Sequence, residues 1–248
     1  MRLYHELADW YPLLSPRDDY AEEAEELWRL ILEQCGGPPA RVLELGCGAG
    51  HLASFLRDRV ALTLTDVAPR MLELARAVNP GVPTHLGDMR ALRLSERFDL
   101  VYVHDAVQYM STRDDLIAAL RTARAHADRV IVLPDYVKET FEPVTDHDGH
   151  DAPDGRAFRY MEWLRRDGPD RFVVHYTGVC VHADGRVEPF YDRHVEGLFS
   201  VDEWRGAMHE AGWDVVRVES DPWRACVFVG EARSEGRGHH EDDGASQV

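Results

Sequence analysis

The stretch VLELGCGAGHLASFL, residues 42–56, sets Gly46, Gly48 and Gly50 on alternate positions between an apolar run and a helical pattern. Glycines so spaced let a backbone turn sharply and approach a ligand with no Cβ in the way. A nicotinamide dinucleotide would want a further glycine at position 51, where His51 stands. A phosphate-cradling loop would want Gly-Lys and then Ser or Thr, and no such run closes this one. Glu44, inside the apolar run, would repel a pyrophosphate but would attract a cation or accept a hydrogen bond from an amine. Asp66 closes the run LTLTD, a position from which a carboxylate can accept both hydroxyls of a ribose. Asp88, in LGDMR, is placed to take the exocyclic amine of an adenine, with Met89 as its apolar neighbour. The next run, FDLVYVHDAVQYM, ends at the open edge of the same crevice.

Elements able to hold these residues follow from the patterning. Tyr20, Ala24, Leu27, Trp28, Ile31 and Cys35 recur at helical spacing until Gly36-Gly37-Pro38-Pro39 stops them. Beyond that point RVLEL, VALTLTD, THLGD, RFDLVYVHD and RVIVLPD read as strands alternating with helical stretches. One of those helices is predicted to open on a capping box of Ser111 and Asp114. Such alternation implies βαβ units and a parallel sheet. After Asp135 it breaks. TDHDGHDAPDG reads as a polar loop, and FRYMEWL, RFVVHYTGVCVH and VEPFYDRH as antiparallel strands. A helix capped by Ser200 and Glu203 and two final strands, DVVRVES and WRACVFVGEA, return the chain to the core. The expected organisation is a helical cap over 1–36, a core of 37–135 and 197–232, a covering insertion over 136–196, and a disordered tail over 233–248.

In order and spacing, residues 41–135 resemble the class I S-adenosylmethionine-dependent methyltransferases, with their E/D-x-G-x-G-x-G loop, acid after the second strand, G-D-M turn and F-D-x-V strand. The resemblance implies an α/β fold with a Rossmann-like seven-stranded sheet, its last strand antiparallel, flanked by helices. It implies S-adenosyl-L-methionine as cofactor, with Glu44, Gly46 and Gly48 along the methionine part, Asp66 on the ribose, and Asp88 and Met89 at the adenine. Cys47, Val67, Met71 and His104 fall in the same segments, and an N-terminal tyrosine, Tyr11, is expected to reach the methionine end.

The layout of Tyr4, Trp10-Tyr11 and Asp19-Tyr20, the insertion after the fifth strand, and DRHVEGLFS is similar to bacterial nucleotide-amino-sugar N-methyltransferases and glycine N-methyltransferase-like relatives of secondary metabolism, antibiotic biosynthesis included. That similarity implies a small polar metabolite as acceptor, nitrogen favoured over oxygen. Candidate catalytic groups are His104 and Asp105, where this superfamily often faces substrate, and His194 at the insertion's return. Each has a plainer reading, a strand-end hydrogen-bonding pair or a structural histidine. His150, Tyr160, Tyr176 and His194 are candidate substrate contacts, the tyrosines offering faces to a methylated ammonium. His147 and His150 sit among carboxylates, but their glycine-broken spacing matches no closed metal site, so no metal is assigned.

The bulk properties agree. The 248 residues carry 44% hydrophobic residues, enough for one packed domain with an embellishment. A net charge of −17 with no basic stripe speaks against nucleic acid, as does HDAV where N-P-P-Y or D-P-P-Y would stand. Cys35, Cys47, Cys180 and Cys226 form no close pair, and no signal peptide or membrane-length apolar run stands out, so a cytoplasmic location with no membrane partner is expected. Lid insertions of this kind often pair subunits, which leaves a homodimer open. The alternatives to a methyltransferase are a fold member catalysing a non-methylating reaction and a non-catalytic binding protein, though a scaffold has no need of a furnished cleft.

Overall fold

The computed structural model describes residues 1–220 and 226–234. A short helix α1 (Tyr11–Leu14) leads to α2 (Ala21–Cys35), which buries Ala24, Leu27, Leu30 and Ile31 and ends where Gly36 turns left-handed at φ 70°. Then β1 (Arg41–Leu45), α3 (Ala53–Leu56), β2 (Ala61–Asp66), α4 (Pro69–Val78), β3 (Thr84–Leu86), β4 (Leu100–His104), α5 (Arg113–His126) and β5 (Arg129–Leu133) follow in alternation. Strands β6 (Thr145–Asp151), β7 (Ala157–Arg166), β8 (Arg171–Val181) and β9 (Val187–Gly197) form the insertion, and α6 (Val201–Glu210), β10 (Trp213–Glu219) and β11 (Val227–Ala232) complete the core.

The core sheet has seven strands in the order β10-β11-β5-β4-β1-β2-β3. Strands β1 to β5 are parallel, and β11 runs antiparallel to both β5 and β10. This is the α/β fold that the patterning implies. Strands β1 and β4 are central and buried on both faces, which is why RVLEL and LVYVH are apolar with hardly a break. The second sheet is antiparallel in the simple order β6-β7-β8-β9.

Two local expectations change. Residues 145–151 are strand β6, paired with β7 from Thr145↔Trp163 to Asp151↔Ala157, and not a loop. As an exposed edge strand it carries charged and polar side chains almost throughout, so no apolar period marks it. The cap of α5 moves by one residue: Thr112 accepts the Asp115 amide at 3.1 Å, whereas α6 keeps the Ser200–Glu203 capping box. Most of the expected tail, with His239 and His240, lies outside the described residues. Among the described residues no helix is long and apolar enough to cross a membrane.

The N-terminal segment does more than cap the core. Leu3, Leu7 and Trp10 bury against Phe158, Cys180 and Phe190 of the second sheet. The two ends of the insertion are held together by Gln108, itself buried, which donates to the carbonyls of Gly197 and Tyr136.

Candidate active site

A cleft of about 750 Å³ lies between the C-terminal ends of β1, β2, β4 and β5 and the inner face of the second sheet. Its floor is the glycine loop. Gly46 sits at φ +80°, and a Cβ there would collide with Ala106 and Met89. Gly48, at φ +52°, faces open space, with only the Tyr11 hydroxyl 4.0 Å from where a Cβ would stand. Both positions demand glycine, the first for packing and the second for a left-handed turn that leaves one face free.

Acids surround this floor. Asp66 accepts the Gly48 amide on Oδ2 and the Ala68 amide on Oδ1, each at 2.8 Å. Burial lifts the carboxyl even though these amides and that of Val67 favour its charged form. Glu44 is 2% exposed and accepts the Tyr102 hydroxyl at 2.7 Å; burial pushes it up to about 7. Asp88 lines the cleft but is clasped by Arg90, which also binds Asp115 at 3.0 Å and holds Asp88 below the usual carboxylate range. Met71, Cys47 and Met89 are buried beneath the cleft, Val67 stands exposed at its rim, and burial pushes the Tyr11 hydroxyl up to about 12. His51 lines the same end with its Nδ1 buried and without a hydrogen-bond partner.

A second group of acids in the cleft has a different character. His104 bridges Glu23, at 2.9 Å, and Asp105, at 3.3 Å. Asp105 holds φ +27°, the one positive value outside glycine among the described residues, and is hydrogen-bonded to Asp135 at the end of β5. Burial, and then the neighbouring charge of Asp135, push Asp105 far above the carboxylate range. Glu162 on β7 and Glu196 on β9 complete the group. Burial raises both, Glu162 to about 7, although Tyr176 and Tyr109 give them hydrogen bonds. Tyr4, Tyr109, Tyr136, Tyr160 and Tyr176 face the same space.

Two expected substrate contacts lie elsewhere. His194 is fully buried and does not line the cleft; Nε2 lies 3.0 Å from Asp192 and Nδ1 2.7 Å from the Tyr109 hydroxyl, itself 2.6 Å from the Tyr4 hydroxyl. Its reach to the cleft is therefore through Tyr109, a positioning role and not a direct contact. Against the pull of burial, His194 and the Leu3 amide hold Asp192 down at about 2. His150 turns its Nδ1 to the Leu13 carbonyl at 3.0 Å, so it fastens β6 to α1 instead of facing substrate. Tyr160 and Tyr176 do line the cleft.

Asp135, Glu162, Glu196 and Tyr109 went unrecognised as site residues in the sequence. Asp135 had a signal, since it follows the fifth parallel strand by two residues, much as Asp66 closes the second. The two glutamates had none, because which strand face meets the core depends on how the insertion folds back.

The chain matches the family described as Methyltransferase domain over residues 42–128. It is 32% identical over 232 residues to the dTDP-3-amino-3,4,6-trideoxy-alpha-D-glucopyranose N,N-dimethyltransferase of Streptomyces venezuelae, covering 90% of this chain and 96% of that one. The crystal structure of Streptomyces venezuelae DesVI superposes with a TM-score of 0.81 at 28% identity, over 91% of this chain and 98% of that one. Structure of CalS10 with S-adenosylmethionine bound, an amino pentose methyltransferase of Micromonospora echinaspora, gives 0.75 at 26% identity over 86% and 91%. With the glycine loop, the strand-end acids and the sheet order in agreement, the chain belongs to the class I S-adenosylmethionine-dependent methyltransferase family.

Proposed function

We propose that this protein binds S-adenosyl-L-methionine at the glycine-loop end of the cleft and N-methylates a small amine-bearing metabolite at the other, as the relatives' names describe for amino sugars. The observation that carries the reading is that one continuous cleft joins the open face of Gly48 to the acid- and tyrosine-lined end.

The residues present fit the cofactor. Glu44 offers a buried carboxyl to a cation, Asp66 offers a carboxylate at the strand end to a diol, and His51 Nδ1 is a buried polar atom with no partner of its own. When bound, the cofactor supplies an activated methyl group on a cationic sulfur. The chain's own task is alignment and proton handling. An amine must be neutral to attack and, once methylated, has one proton to lose. Glu162, raised to about 7, has the affinity for that proton that general-base work near neutral pH needs. The Tyr109 hydroxyl lies 2.7 Å from His194 Nδ1, and His194 is itself held by Asp192 at 3.0 Å, so this chain of contacts fixes that hydroxyl on the cleft wall.

Titration calorimetry with S-adenosylhomocysteine tests the cofactor end. Binding is expected, and Asp66→Asn should weaken it about 10- to 100-fold by removing charged hydrogen bonds. Absence of binding in the unaltered protein would sink the reading. Turnover products should gain 14 daltons per methyl.

A further inference from the structure

Side chains along a strand alternate between the two faces of its sheet. In the second sheet one face meets the rest of the molecule: Phe158, Cys180 and Phe190 pack on the N-terminal segment, Leu164, Phe172 and Val174 on Phe141 and Leu198, and Tyr160, Glu162 and Tyr176 line the cleft. The other face, turned outward, should be polar if water were its neighbour. It is not. The strand pairing sets His147, Met161, Thr177 and Tyr191 in one row across it, with Trp163 and His175 in the next. Of the nine large apolar side chains that stand exposed among the described residues, four lie on this face: Met161, Trp163, Val187 and Tyr191. Trp163, His175 and Tyr191 form a band of rings with centroids 5.5 and 5.9 Å apart, and His175 Nδ1 lies 2.7 Å from the Tyr191 hydroxyl. Clustered exposure of this kind marks a surface that another molecule covers.

Charge narrows what that molecule is. The chain carries −17 in all, so two copies repel one another over most approaches. Yet the outward positions of β6 to β9 bring Arg159, Arg165 and Arg193 against the single acid Asp151. Arg159 pairs with Asp151 at 2.6 Å, and Arg193 lies 3.5 Å from Asp167, which leaves the face close to neutral. It is a surface on which this acidic chain can meet itself. Its area suffices as well. Four strands about 4.8 Å apart, each of about ten residues, span roughly 650 Å² per copy and about 1,300 Å² for two. Specific interfaces hold from about 1,200 Å² upward. Residues 235–248 of the same chain bring only Ala245 and Val248 as apolar side chains, too little to cover the face from within.

We propose that a second copy of this chain docks here, sheet against sheet across a two-fold axis, so that the same residues meet from both sides. The face backs directly on the cleft, since Met161 stands between Tyr160 and Glu162, and a docked copy stiffens the wall that carries them. The proposal is independent of which molecule is methylated.

Sedimentation of the full chain at micromolar concentration tests it, with neither cofactor nor acceptor needed. A species of twice the chain mass is expected. Met161→Arg and Tyr191→Arg, made separately, each set like charges against each other across the axis. Each should sediment as a single chain with an unchanged circular dichroism spectrum. Oxidative footprinting of the unaltered protein decides the matter even if a variant misfolds. Met161 and Trp163 should be protected in concentrated solution relative to dilute, while Met1, exposed and not part of this face, reacts alike in both. A single chain in the unaltered protein overturns the proposal. So does a dimer that survives both substitutions, or one in which Met161 and Trp163 stay reactive, because its interface then lies elsewhere.

Discussion

Glu44 shows how one side chain carries both the cost and the use of this site. It stands in a buried strand because the cleft needs a carboxyl there, and the apolar surroundings raise it from near 4.5 to about 7. The unfolded chain ionises this group around 4.5, so between that value and 7 the folded state holds more protons than the unfolded one. Stability from the neutral form is fully present below about 4.5 and is lost as pH rises through about 7. The full effect is about 3 kcal/mol. Glu44→Gln, which keeps the shape of the neutral acid, is therefore expected to flatten the decline in unfolding free energy between pH 5 and 7.5 by roughly that amount. Urea denaturation of both proteins at several pH values measures it, with Glu162 and the other raised acids still contributing in both. Identical slopes would mean that Glu44 titrates as an ordinary surface acid.

At the scale of elements, the question is what keeps the second sheet aligned over the strand ends. Gln108, in the turn after β4, is 1% exposed and bonds the carbonyls of Tyr136 and Gly197, the points where the chain leaves the core and returns to it. Gly197 itself allows a close approach, since a Cβ there would collide with the Met110 carbonyl. Gln108→Leu fills much the same space but strands the buried Gly197 carbonyl and weakens the hold on the part-buried Tyr136 carbonyl, so it should cost about 1–3 kcal/mol. Calorimetric melting would show the loss. A change under half a kilocalorie would mean that water replaces the amide. Gln108 also shows where sequence reading stops. The parallel core was legible because buried strands and amphipathic helices carry a period, and the cofactor end because its glycines and acids fall at strand ends. The insertion's strands were legible in part, as β7, β8 and β9, while β6 hid among histidines and aspartates. Which residues of the insertion face inward was not legible. His150 and His194 share a residue type with catalytic groups, yet one binds the Leu13 carbonyl and the other sits behind Tyr109. A long-range pairing such as Gln108 with Gly197 leaves no local pattern at all.

Over the whole molecule, the cleft has walls that come from three parts of the chain, and the smallest of them, the N-terminal segment, ties the other two together. Its Leu3 and Leu7 sit under the second sheet, its Tyr4 and Tyr11 turn to the cleft, and Arg70 of the core reaches its Asp9. Trp10 is central: 7% exposed, it stacks on Phe158 with ring centroids 6.3 Å apart and meets His182 edge-on at 5.0 Å. Removing the ring takes away apolar burial on the second sheet and leaves a cavity that backbone strands cannot readily fill. Large-to-small changes of this kind cost about 3–5 kcal/mol. The core sheet touches Trp10 little, so the loss should be local: in Trp10→Ala, amide hydrogen exchange should quicken across β6 to β9 and along residues 1–14, while β1, β4 and β5 keep their protection. Affinity for S-adenosylhomocysteine should fall as well, because Tyr11 is carried on the same segment. Uniformly faster exchange through both sheets would show instead that the N-terminal segment, the insertion and the core unfold as one unit, and that the cleft cannot open without the fold.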